Sequence, residues 1–176
     1  MCIRDSFTTV DGLRHLPNLP TEETFTTPDP ERVNGYASAT LPLELAGSVV
    51  SGIRIEFTDG RAVGIDADQG AEALRTAAAS DDGASRLGEI ALVDGEGRIG
   101  PLETAFFDTL IDENAASHIA LGNGYDHPVE DPDDKKRINA SRVHIDFMIG
   151  SPALAVDGIA GDGSVVPVLR DGAWQI

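Results

Sequence analysis

The chain of 176 residues holds a single cysteine, Cys2. That scarcity excludes a disulfide framework and thiolate metal sites, and it fits the cytoplasm as the expected compartment. Basic residues are few as well: 13 Lys+Arg stand against 30 Asp+Glu, for a formal net charge of -17. Such a chain has little with which to neutralise phosphates, so nucleic acid is excluded as a partner. No apolar run approaches a membrane span and no signal peptide is visible, so no membrane partner is expected either. No internal repeat is present. The acidity itself has two readings. One is a solvated acidic surface. The other gathers some carboxylates as ligands, where two divalent ions would offset about four charges.

The length suits one domain that buries a core without staples. Met1-Cys2-Ile3-Arg4-Asp5-Ser6 back-translates to ATG TGT ATA AGA GAC AGN, the end of a transposon adapter used in DNA library preparation. It is set aside as non-native, Cys2 with it, which leaves residues 7–176 as the expected domain, a piece of a longer protein. The patterning predicts an α+β domain of mixed and antiparallel strands with a few helices. Asn18 to Phe25 reads as a polar loop in which Glu22 and Glu23 point in different directions. Tyr36–Leu45 reads as extended, and Val49–Phe57 alternates Ile53, Ile55 and Phe57 against Arg54 and Glu56. Asp59-Gly60 then turns the chain into Arg61–Asp66. Gly70–Ala79 reads as a helix and Leu87–Val93 as a buried strand. Asp112-Glu113-Asn114 resembles a capping loop before a helix over Ala115–Leu121, stopped by Gly122 and Gly124. Asp126–Arg137 is a charged loop, Val143–Ile149 and Leu154–Ile159 are strands, and Pro167–Ile176 is a hairpin about Asp171-Gly172.

Chemistry concentrates in a few places. On a strand, His144 and Asp146 share a face, which puts an imidazole beside a carboxylate. Glu113 and His118 form a second such pair. Glu89 is a lone charge next to Ile90-Ala91-Leu92-Val93, costly to bury unless a cation pairs with it. Taken singly, each has a plain alternative: Glu89 as an outward-facing strand residue, His118 as a capping or core histidine, His144 and Asp146 as a hydrogen-bonded pair. Together with Glu23 and Tyr125 they form a more specific set. Two imidazoles among carboxylates suit Zn, Co or Mn. Two ions about 3.5–4 Å apart, bridged by a carboxylate and a water, make hydroxide available near neutral pH. An unligated carboxylate can move the proton, and a tyrosine can bind a metal weakly or stabilise an oxyanion. These are the parts of a dinuclear amide hydrolase. Asn139-Ala140-Ser141 matches a glycosylation triplet, common by chance.

Four blocks carry a resemblance in order: Asn18-Leu19-Pro20-Thr21-Glu22-Glu23, Gly88-Glu89-Ile90-Ala91-Leu92-Val93, Asp108 through Gly122, and Val143 through Ser151. With these the chain resembles the thermophilic-type metallo-aminopeptidases, the M29 peptidase family, also called aminopeptidases II, T or S. The resemblance implies release of N-terminal residues from peptides by the catalytic C-terminal domain of a two-domain protein. It also implies two divalent metal ions (Zn, Co, Mn or Mg) and a homodimer in the full-length protein. The implied metal ligands are Glu23, Glu89, His118, His144 and Asp146, with Glu89 as the bridging carboxylate. Glu113 is implied as a ligand or as acid/base, and Tyr125 as the site tyrosine. Two alternatives stand beside this reading: a metal-binding fragment without activity, and an amidohydrolase acting on a non-peptide substrate.

Overall fold

Period-two alternation, running through the strands that carry the candidate ligands, organises the molecule. The computed structural model describes residues 7–15 and 21–176. The adapter-like residues 1–6 and the Asn18-Leu19-Pro20 part of the first block lie outside the described residues. In chain order the first strands are β1 (Phe7–Thr8), β2 (Arg14–His15), β3 (Glu23–Thr26), β4 (Gly35–Ser38), β5 (Leu43–Leu45), β6 (Ser48–Val50), β7 (Arg54–Thr58) and β8 (Arg61–Asp66). Helix α1 (Ala71–Ala78) and strand β9 (Leu87–Val93) follow, then a 3-10 turn at Gly100–Leu102 and helix α2 (Thr109–Asp112). The chain continues through β10 (His118–Gly122), α3 (Pro132–Lys135), β11 (His144–Met148), β12 (Val156–Ile159), β13 (Val165–Arg170) and β14 (Ala173–Trp174). The α+β class expected from the sequence is the one observed.

The central sheet has the order β11-β10-β9-β3, every pair antiparallel. Its registers place Ala120 opposite both Glu89 and Asp146, and Gly122 opposite His144. One face therefore carries Glu23, Glu89, His118, His144 and Asp146, with Ala91 and Ala120 between them. The other face carries Ile119, Leu121, Ile145 and Phe147 into a core shared with Val50 of β6, with Ile53 just before β7, with Ile55 and Phe57 of β7, and with Leu74 of α1. Burying these apolar side chains supplies about 1.5–3 kcal/mol each, and it holds the ligand-bearing strands in one rigid plane. Gly88 lies where the β9–β10 register shifts. A Cβ there would overlap the carbonyl oxygens of Gly122 and Asn123, so the bulge requires glycine.

Several expectations hold: the Asp59-Gly60 hairpin joins β7 to β8, α1 lies within Gly70–Ala79, and Asp171-Gly172 turns β13 into β14. The helix expected over Ala115–Leu121 is instead β10. Alanine content suggested a helix, but Ile119 and Leu121 alternate with His118, Ala120 and Gly122, and strands on both sides satisfy the backbone. The helix at this place is the earlier α2, capped by the Asp108 carboxylate accepting from Ile111 N at 3.3 Å. Asp112-Glu113-Asn114 is thus a helix exit. Glu23, expected in a loop, begins β3, while Glu22 turns the other way and accepts from Arg98 N at 2.6 Å. The expected strand Tyr36–Leu45 divides into β4 and β5, and the charged loop contains α3.

Phe147 is fully buried at the centre of the core. Phe147→Ala is expected to destabilise the chain by about 3–5 kcal/mol, read as a lower urea midpoint at unchanged slope.

Candidate metal centre

The side chains that meet on the polar face come from three neighbouring strands of the sheet, from the edge strand β3, and from the exit of α2. His118 Nε2 lies 3.2 Å from Glu23 Oε2 and 3.8 Å from Glu89 Oε1. His144 Nε2 lies 3.3 Å from Glu89 Oε2 and 3.2 Å from Asp146 Oδ1. The two oxygens of Glu89 thus face two different imidazoles. Ligand-type atoms form three overlapping groups, each with all its atoms within 4.8 Å: Glu23, Glu89 and His118; Glu89, His144 and Asp146; Glu113, His118 and Asp146. All six residues expected as ligands are brought together. Tyr125 joins them from the loop after β10, its ring centroid 5.0 Å from that of His144.

Backbone carbonyls fix both imidazoles. His118 Nδ1 is 3.1 Å from Ala116 O, and His144 Nδ1 is 2.7 Å from Asn123 O. A carbonyl oxygen only accepts, so Nδ1 carries a proton, and in the neutral ring Nε2 turns its lone pair toward the carboxylates. His118 Nε2 is buried and makes no hydrogen bond. A lone pair aimed at carboxylates is the arrangement a divalent cation resolves, and a second ring nitrogen anchored to a carbonyl is the usual support of a ligating histidine. Among the described residues, Glu89 and Asp146 form ion pairs with histidines. The donor set therefore fits one or more divalent ions of the kind that accept nitrogen and oxygen together.

The same crowding sets the protonation of the cation-free cluster. Burial works against a charged imidazole, yet Glu23, Glu89 and Asp146 push His118 up to about 10. His144 rises to about 10 as well, burial again being outweighed by Asp146 and Glu89. Burial, then the charges of Glu23 and Asp146, raise Glu113 to about 7. Burial and the carboxylates Glu89 and Asp146 raise the Tyr125 phenol to about 12. Glu89 moves the other way: burial opposes ionisation, but the charged imidazoles of His118 and His144 hold its carboxyl below the usual range.

Some participants escaped the sequence reading. Phe25 on β3 and His127 after Tyr125 form an aromatic wall, Phe25 to His127 at 5.2 Å and Tyr125 to His127 at 5.6 Å between centroids. Buried Asp112 accepts from Phe106 N at 2.8 Å and Asp108 N at 3.2 Å, bracing the loop before Glu113. No local pattern in the sequence points to any of these. Asn139, in the glycosylation-like triplet, is buried and its amide donates to Gly83 O at 2.8 Å and Gly122 O at 2.6 Å. It is a structural clamp.

An antiparallel sheet presenting two imidazoles among four carboxylates has the donor set of a divalent-metal site. Residues 3–174 match the family model described as thermophilic metalloprotease (M29), and the chain belongs to that family. It is 44% identical over 172 residues to aminopeptidase PepS of Streptococcus thermophilus, covering 94% of this chain and 42% of the relative. Against aminopeptidase T of Thermus thermophilus it is 47% identical over 165 residues, covering 91% of this chain and 40% of the relative. The solved structure of wild-type AmpT from Thermus thermophilus superposes with a TM-score of 0.89 at 46% identity, over 97% of this chain and 44% of that one. The chain thus spans about two fifths of the length of the relatives it matches. No helix among the described residues is long and apolar enough to cross a membrane.

Zn2+ or Co2+ is expected to raise the thermal midpoint of the chain, by about 2.7 kcal/mol of stability at a hundredfold excess over Kd. His118→Ala and His144→Ala are expected to lose most of that gain in the same melting assay.

Proposed function

We propose that residues 7–176 are the catalytic, metal-binding domain of a dinuclear aminopeptidase that removes N-terminal residues from peptides. The observation that supports it most is Glu89, whose two oxygens face His118 and His144 separately, as a carboxylate shared between two ions must. Glu23, Glu89 and His118 would hold one ion, and Glu89, His144 and Asp146 the other. When bound, such ions supply Lewis acidity and lower the pKa of a coordinated water toward neutrality. Zn, Co and Mn suit this mixed donor set better than Mg, which prefers oxygen alone.

The chain's own residues carry the remaining work. Glu113, half-buried beside His118 and Asp146, takes the proton of the attacking water and returns it to the leaving amine. The Tyr125 phenol sits over His144 and donates to the carbonyl oxygen as it gains negative charge. The relatives it matches are named aminopeptidases, which favours release of N-terminal residues over an amidohydrolase of neutral substrates. The resemblance extends this to a homodimer for the longer protein, and the scarcity of cysteine fits a cytoplasmic setting.

Glu113→Gln is expected to retain metal while turnover of aminoacyl anilides falls by about 10²–10⁴-fold. Metal content and turnover measured on the same preparation check both halves of the claim. N-acetylation of the substrate should abolish cleavage; equal rates on blocked and free substrates would instead mark a general amidohydrolase. Metal retention without turnover of either substrate would leave a metal-binding module.

A further inference from the structure

Tyr125 acts from a loop, and a loop side chain reaches a fixed point only if its backbone is held. The structure holds it through one distant hydroxyl. Thr27 Oγ1 donates to Tyr125 O at 2.7 Å and accepts from Tyr125 N at 3.1 Å, across 98 residues of sequence. Both backbone hydrogen-bonding groups of Tyr125 therefore engage a single side chain. The Thr27 methyl group adds a steric stop: a Cβ placed on Gly124 would lie 2.8 Å from Thr27 Cγ2 and 2.9 Å from Ile138 Cγ2. Gly124 N also donates to Asn139 O at 2.9 Å, so the residue preceding the tyrosine is pinned as well. Thr27 immediately follows β3, the strand that bears Glu23 and Phe25. Phe25 meets the Tyr125 ring edge-on at 5.8 Å. One end of β3 thus supplies a candidate ligand, and its other end fixes the tyrosine beside the cluster.

We propose that Thr27 is a positioning residue for Tyr125, clamping its backbone so that the phenol stays over the metal-binding face. This rests on the reading of Tyr125 given under Proposed function. Thr27 belongs to none of the ligand-type groups, so its loss acts through Tyr125 and leaves the ligands in place. The clamp needs a hydroxyl: serine preserves both hydrogen bonds, whereas valine keeps the shape and removes both.

The chain has two tyrosines, Tyr125 and the exposed Tyr36 on β4, so fluorotyrosine labelling gives two 19F resonances. Thr27→Val should shift and broaden the Tyr125 resonance and leave that of Tyr36 unchanged, while Thr27→Ser keeps both as in the parent chain. A parent-like Tyr125 resonance in Thr27→Val would overturn the proposal. If both resonances collapse because the valine variant fails to fold, Thr27→Ala is read by the same two criteria. In the metal-loaded protein, Thr27→Val should lower kcat by about ten- to a hundredfold, with metal content unchanged. It should cost nothing further in a Tyr125→Phe background; additive losses would overturn the clamp. Full turnover in Tyr125→Phe alone would remove the catalytic reading of Tyr125, and the fluorine signal would still decide the clamp.

Discussion

Like charges crowded out of water dominate this structure. Glu23, Glu89, Glu113 and Asp146 converge on one face of a small sheet, where solvent screens them poorly and their mutual repulsion is large. In the cation-free chain the tension is met by protons, on the imidazoles of His118 and His144 and on Glu113. The fold spends its apolar residues on keeping this arrangement from relaxing. Ile119, Leu121, Ile145 and Phe147 anchor the same strands from below, so the carboxylates cannot separate without opening the core. Ala91 and Ala120, both fully buried, are small enough to let the ligand-type side chains on neighbouring strands approach one another.

A second set of polar groups fixes directions. The carbonyls of Ala116 and Asn123 set the tautomer of each histidine, and Asp112 braces the loop that delivers Glu113. Asn139 ties the β10 exit to Gly83, and Asn123 holds Ser141 N at 3.4 Å. These contacts lie at strand ends and loop crossings, where the ladder hydrogen bonds of the sheet stop. Buried polar groups satisfied in this way specify one geometry for the side chains they support. The molecule is therefore layered: an apolar underside that supplies stability, a ring of loop clamps that supplies direction, and a charged face between them for chemistry.

Much of this was legible because strand alternation reports which residues share a face. His144-x-Asp146 and the lone charge of Glu89 inside an apolar run both follow from period two. The turns at Asp59-Gly60 and Asp171-Gly172 were legible from their φ-permissive residues. The stretch Ala115–Leu121 was misread because alanine favours a helix locally, while the decisive factor was pairing with β9 and β11, which lie far away in sequence. Glu23 was misplaced in a loop because β3 is short and begins beside Pro20 and Thr21. The aromatic wall and the Asn139 and Asp112 braces depend on loop crossings that no local pattern encodes. The four motif blocks of the family resemblance named the cluster; only the fold showed that Glu89 divides its oxygens between two histidines.

The central claim is that this face holds a pair of ions that share Glu89. It is tested most directly by elemental analysis of the chain after loading with Zn2+ or Co2+ and dialysis against a trace of the same metal. The account predicts about two ions per chain, falling sharply in Glu89→Ala because both positions lose a ligand at once. A single ion in the parent chain, or none, would contradict the shared-carboxylate arrangement.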